Sequence, residues 1–146
     1  MAMGYEELSK LLVSLTINLE KICDGYDAYD ANKKSNLTLK IKVLFCVSEM
    51  GEITPSQLIS KLGIAKSNLT VLCKSMLEEG LITSKKSATD KRSISYIITN
   101  KGAKQLKNYL NQIQLDNMNL FKSVRITKGL EKKITEILKL LNKNND

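Results

Sequence analysis

At 146 residues the chain has room for one domain of ordinary size. Its 23 Lys+Arg stand against 15 Asp+Glu, a formal net charge of +8, and it contains no histidine. A hydrophobic content of 42% fills a core and argues against disorder, while the missing histidine excludes a Ser-His-Asp triad, a Cys-His pair and a histidine-ligated zinc. No apolar run approaches the ~20 residues of a membrane span, and Glu6 and Glu7 stand where a signal peptide needs bases. Cys23, Cys46 and Cys73 cannot all pair within one chain and form no secreted disulfide framework. The expectation is a soluble, reduced, cytoplasmic protein with no membrane partner, no metal and no cofactor.

The charge is unevenly distributed. Residues 1–36 hold four lysines and six acids; residues 37–99 hold eight lysines and Arg92 against five acids; residues 100–146 hold nine lysines and Arg125 against four acids. An excess of lysine is satisfied by a solvated surface or by a face that binds a polyanion, and the elements that carry the bases decide between the two.

Leu8, Leu11, Leu12, Leu15, Leu19, Ile22 and Tyr26 recur at helical spacing and predict a long first helix, about residues 5–28. The polar stretch 30–36 reads as a loop. A second helix follows over about 38–50, with Leu39, Val43, Leu44, Val47 and Met50 on one face and Gly51 at its end. In Thr54-Pro55-Ser56-Gln57 the threonine serves as N-cap, the proline suits the first helical position and the glutamine completes a capping box. This opens a short helix from Pro55 to Leu62 that stops at Gly63. A further helix runs from about Lys66 to Glu79, burying Leu69, Leu72, Cys73, Met76 and Leu77, with Gly80 at its C′ position. Two helices joined through so few residues with a glycine have helix-turn-helix geometry.

Leu81–Lys85 and Ser93–Thr99 alternate as strands, and the polar stretch 86–92 between them makes a basic hairpin tip. Helix, turn, helix and a cationic hairpin is the order of a winged helix-turn-helix. After Thr99, a further cap, one long helix is expected over about 101–123, its stripe marked by Leu106, Leu110, Ile113, Asn117, Leu120 and Val124. A last helix is expected over about 128–142, with Leu130, Ile134, Ile137, Leu138 and Leu141, ahead of a frayed tail. The fold class is mainly α with a small β-hairpin wing. The terminal helices are not needed to close so small a winged core, so their apolar stripes are covered either by a second copy of the chain or by a monomeric bundle; two-fold association is the commoner solution.

The segment Asp90-Lys91-Arg92-Ser93-Ile94-Ser95-Tyr96-Ile97-Ile98-Thr99-Asn100-Lys101-Gly102 resembles the wing signature of the MarR family of transcription regulators: Asp-x-Arg, a strand, an apolar residue, Thr, two residues and Gly. Leu77-Glu78-Glu79-Gly80-Leu81-Ile82 resembles the family's junction between recognition helix and wing. The resemblance spans essentially the whole chain in length and element order. It implies a single domain over 1–146, with a DNA-binding lobe at about 37–100 and dimerisation helices at about 5–30 and 101–142. It further implies a homodimer on pseudo-palindromic double-stranded promoter DNA that often releases it when a small molecule or an oxidant acts, with the effector's binding residues left unknown; our reading is of a repressor more than an activator. Two positions depart from the pattern: Ser84 stands where the family commonly has arginine, and Ala65 where it tends to place a small polar cap.

In helix-turn-helix geometry the second helix enters the major groove. Lys66, Ser67, Asn68, Thr70, Val71 and Lys74 lie at or near its exposed face. Asn68 has the two groups an adenine edge requires, Ser67 and Thr70 suit several bases, Val71 meets a thymine methyl, and Lys74 holds a phosphate. Arg92 at the hairpin tip suits a narrow minor groove, with Lys85, Lys86 and Lys91 on flanking phosphates. Thr54 and Ser56 add hydroxyls and free amides at a helix start. No catalytic residues are indicated. The rival from another class is a winged-helix protein-interaction module without sequence-specific DNA binding; an enzyme has no support in the residues.

Overall fold

The computed structural model describes residues 4–24, 37–86 and 93–143. The last turn expected of the first helix, the loop over 30–36, the wing tip from 87 to 92 and the tail beyond 143 lie outside them. The elements run α1 (Tyr5–Asp24), α2 (Leu39–Met50), α3 (Pro55–Leu62), α4 (Lys66–Glu78), β1 (Ile82–Lys86), β2 (Ile94–Ile98), α5 (Asn100–Asp116), α6 (Met118–Phe121) and α7 (Val124–Lys143). This is a mainly helical winged helix-turn-helix. The chain divides into two compact units, Tyr26–Asn111 and a second built from Met1–Gly25 with Gln112–Asp146.

In the first unit local capping sets the helix limits. Thr38 Oγ1 accepts the Ile41 amide and starts α2. Thr54 and Gln57 make the reciprocal capping box of α3, at 3.2 and 2.9 Å, with Pro55 at the first turn. Gly63, left-handed at φ 63°, ends α3, and Ile64-Ala65 lead into α4. At the far end of α4 the Gly80 amide donates to the Leu77 carbonyl and the Leu81 amide to that of Met76, with Gly80 at φ 74°. This is a Schellman closure, in which glycine avoids the Cβ clash of the left-handed region. Leu81 then packs with Met76 in the core.

Val43, Leu44 and Val47 of α2, Leu58 of α3, Cys73 and Met76 of α4, and Ile53, Leu81 and Ile82 form the fully buried centre. Leu77, expected inside, is exposed, because the helix turns that position past the core stripe. β1 and β2 pair antiparallel from Ile82↔Ile98 to Lys86↔Ile94. Ile53 adds a one-residue bridge to β2 that the sequence did not announce: its amide and carbonyl exchange bonds of 3.1 and 2.8 Å with Tyr96. The wing root is thereby tied to the segment between α2 and α3.

α5 starts on a second tight junction. Thr99 caps it, its hydroxyl oxygen accepting the Gly102 amide at 3.0 Å. The same hydroxyl lies 2.6 Å from the Gly80 carbonyl oxygen and 3.0 Å from that of Leu81. The Thr99 amide also donates to the Leu81 carbonyl. Gly102 is buried, and a Cβ there would fall far inside contact distance of the Leu81 carbonyl oxygen, with Ile98 Cγ1 and Leu44 Cδ2 closing the other sides.

In the second unit the expected continuous helix over 101–123 is broken. Asn117, at φ −115° and ψ 28°, leaves the helical region, and its side-chain amide donates to the carbonyls of Ile113 and Ile22. It is thus a polar tie to α1 and not a member of an apolar stripe. The last helix begins at Val124, four residues earlier than expected. Ser123 Oγ accepts the Ile126 amide, and the Thr127 hydroxyl bonds the Ser123 carbonyl. α1, α6 and α7 contain no buried residue. Leu11 is 55% and Leu138 51% exposed, where Val43 and Val47 of α2 are at 0%.

Gly102→Ala is expected to lower the unfolding free energy by about 1–3 kcal/mol, because overpacking against a backbone carbonyl outweighs alanine's better helix propensity. Urea denaturation of the two proteins measures it.

Candidate nucleic-acid interface

α4 is held by its buried side, Leu69, Cys73 and Met76, and by the caps around it. That leaves Lys66, Ser67, Asn68, Thr70, Val71 and Lys74 on its exposed side, as expected from the spacing. Val71 is 71% exposed. An aliphatic side chain so far from the core contributes nothing to folding, and it stands in the middle of a polar face. Thr70 bonds its hydroxyl to the Lys66 carbonyl within its own helix at 2.9 Å, so its oxygen remains only as an acceptor.

The start of α4 differs from that of its neighbours. Ala65 occupies the N-cap position and makes no side-chain cap, and no acid lies in the first turn, where Lys66 stands instead. The positive end of a helix dipole is here left with a like charge and first-turn amides without a capping side chain. Such an end is poorly matched to its own helix and well matched to an external anion. α2 and α3 also lack first-turn acids but are capped by Thr38 and Thr54, so the missing side-chain cap is what distinguishes α4 from them.

Thr54 and Ser56 sit at the start of α3. The Thr54 oxygen is engaged in the capping box, whereas Ser56 is exposed. On the wing, Lys85 and Lys86 close the described part of β1, both exposed, and Lys85 Nζ lies 3.9 Å from a Glu52 carboxylate oxygen. A surface pair that long constrains the lysine little. Lys91 and Arg92 fall outside the described residues. The bases and the small polar side chains therefore lie on α4, at the start of α3 and along β1, within one unit of the chain.

Burial works against thiolate formation at each of the three cysteines. Burial pushes all three above the ordinary thiol range; at Cys23 the Asp24 carboxylate adds to this, while Lys61 at Cys46 and a hydrogen bond with Tyr96 at Cys73 oppose it. Among the described residues no group of three or more Cys, Asp or Glu is placed to hold a metal ion. No described helix is long and apolar enough to cross a membrane.

Sequence reasoning missed the pairing of Lys40 with Glu79, whose atoms approach to 2.9 Å across 39 positions of sequence. Only the tertiary fold brings them together. It also missed the contact between Tyr96 and Cys73. Burial and that thiol push the Tyr96 phenol up to about 12.

The neutral phenol of Tyr96 is favoured in the folded chain, so its contribution is intact below the unfolded value of 10 and is lost as pH rises through about 12. Between those limits the unfolding free energy should fall more steeply with pH in the wild type than in Tyr96→Phe, as read from denaturation curves at successive pH values.

With this geometry in view, the comparisons with known proteins agree on one architecture. The model of the MarR family matches residues 39–94, from the start of α2 to the start of β2. Among solved structures, a MarR family protein from Bacillus stearothermophilus is 21% identical; the alignment covers 97% of this chain and 99% of that one, with a TM-score of 0.69. FabT from Streptococcus pneumoniae, solved in complex with DNA, is 17% identical over 96% of this chain and 99% of its own, with a TM-score of 0.62. A mutant MarR from E. coli complexed with operator DNA is 20% identical over 90% and 94%, with a TM-score of 0.56. No curated protein sequence matches significantly. At these identities the structural likeness is one of fold.

Proposed function

We propose, for a chain whose winged helix-turn-helix lobe is of the MarR family, a transcription regulator that binds promoter DNA as a homodimer and acts as a repressor released by a small-molecule effector. The observation that carries the DNA-binding part is the exposed face of α4. It offers two lysines, three small polar side chains and one stranded valine around an uncapped, acid-free helix start. Such a face suits the major groove, where Asn68 pairs with an adenine edge, Val71 meets a thymine methyl and the first-turn amides reach a phosphate. Lys85 and Lys86 extend the positive surface along the wing, and Lys91 and Arg92 continue it in the sequence. Solved structures of FabT and of a MarR mutant with DNA support the same use of this fold.

The homodimer is supported by the apolar stripes of α1 and α7. Such helices draw most of their stability from packing an apolar face, and neither stripe contains a buried residue within one chain. A second copy covers both stripes at once. It also provides the two recognition helices that a pseudo-palindromic site requires.

With about four phosphates neutralised per subunit, roughly eight per dimer, log affinity should fall against log salt with a slope near −7. Measurements use a duplex selected by the protein from a random DNA pool. Lys74→Ala should weaken binding evenly across sequences and make the slope shallower by about one for each phosphate it no longer neutralises. Asn68→Ala should cost about 1–3 kcal/mol and relax preference at one base pair. Arg92→Ala should weaken binding more than Lys143→Ala. A salt-insensitive response, with equal affinities for all four variants, would instead favour a winged-helix module that binds protein.

A further inference from the structure

Glu79 is the C-cap of α4, and three elements meet on it. Its carboxylate oxygens accept Lys40 Nζ, from the first turn of α2, at 2.9 and 3.0 Å. Ser75 Oγ, one turn back in α4, donates to Oε1 at 3.1 Å. Its backbone carbonyl accepts Lys101 Nζ, from the first turn of α5, at 2.7 Å. The Lys40 side chain is only 30% exposed and that of Glu79 42%, so the pair is partly shielded from solvent. The hydrogen bond from Lys40 holds the Glu79 carboxyl below its ordinary range, in keeping with a charge that is in use.

No other described ion pair has this form. Lys10–Glu6 lies within one helix, and Lys85–Glu52 is a long surface pair. The core fixes α4 along its buried side and the Gly80–Leu81 turn fixes its exit, while roll and tilt of the helix end are further opposed by contacts from neighbouring elements. Lys40 reaches the end of α4 from α2 and Lys101 from α5, so together they constrain both motions at the C-terminus.

We propose that Glu79 is a positioning residue for DNA recognition: held by Lys40 and Lys101, it fixes the angle at which α4 is presented, although it touches no DNA itself. This rests on the DNA-binding reading given above. It has a consequence of unusual sign. Removing an acid from a protein that binds a polyanion ordinarily strengthens binding, because repulsion is relieved. Removing this acid should weaken it.

Glu79→Gln keeps the side-chain shape and discards the charge. Its affinity for the duplex selected by the wild type should drop roughly two- to fivefold, the range of a partly exposed ion pair. The slope of log affinity against log salt should be unchanged, since every phosphate partner is retained. The exchanged pair, Lys40→Glu with Glu79→Lys, conserves net charge and should recover most of the missing affinity; this arm also decides the matter if Glu79→Gln melts at a markedly lower temperature. Equal or tighter binding by Glu79→Gln, or no recovery in the exchanged pair, overturns the positioning role and leaves the DNA-binding reading standing. A wild-type protein that selects no duplex from the pool overturns both.

Discussion

The carbonyls of Gly80 and Leu81 are the point on which the winged lobe is assembled. The Schellman turn ends α4 there, and β1 departs one residue later. α5 begins against the same two carbonyls, through the Thr99 hydroxyl and amide. The end of α4, the start of β1 and the start of α5 are therefore joined through Thr99, which supplies the donors to both carbonyls. The approach is so close that only a residue without a side chain fits at 102. Because both carbonyls take their donors from Thr99, moving the start of α5 would remove these bonds together. Thr99 and Gly102, one helical turn apart, are what make this rigid.

Much of the lobe was legible because its limits are set by local chemistry. The capping box at Thr54 and Gln57, Pro55 at the first turn, and the glycines at 63 and 80 act within a few residues of themselves, and each works in the structure as its type and position suggest. The apolar period of α2 and α4 likewise follows directly from the fold it enters. Pairings that join distant segments were illegible. A lone isoleucine between Glu52 and Thr54 gives no sign that it will pair with Tyr96, and nothing near Lys40 or Glu79 points to the other. Asn117 is misleading for a related reason. Its position fits an apolar stripe, and only the carbonyl of Ile22, ninety-five residues earlier, explains why the side chain is polar. Ser123 is a signal that can be read: a serine three residues ahead of Ile126 is a cap, and it places the start of α7 correctly.

The two units of the chain satisfy their apolar groups in different ways. Around α2 and α4 the core closes internally, down to zero exposure at Val43, Leu44 and Met76. In the unit that contains α1 and α7, leucines and isoleucines recur at helical spacing without any reaching burial. A stripe that long is a folding cost unless something removes it from water, at ~25 cal/mol for each Å² covered. The charge follows the same division: acids open α1, whereas Arg125, Lys128, Lys132 and Lys139 lie along α7 between its apolar positions. Helices of opposite charge with apolar stripes of this kind are suited to the two-copy packing proposed above.

The two ends of α4 are treated in opposite ways, and this asymmetry links fold to function. Its C-terminus is closed by a Schellman turn, by Lys40 on the Glu79 side chain and by Lys101 on the Glu79 carbonyl. Cations at a helix C-terminus complement the dipole, so the fixed end is also electrostatically satisfied. Its N-terminus has alanine for a cap and lysine for a first residue, both of which a helix evolved only for stability would replace with Ser, Asp or Glu. In the proposed reading, the groups left uncapped at that end are of the kind a phosphate satisfies. Under the DNA-binding function proposed above, anchoring one end and leaving the other incomplete would direct binding free energy to the first turn of α4, beside Asn68 and Val71.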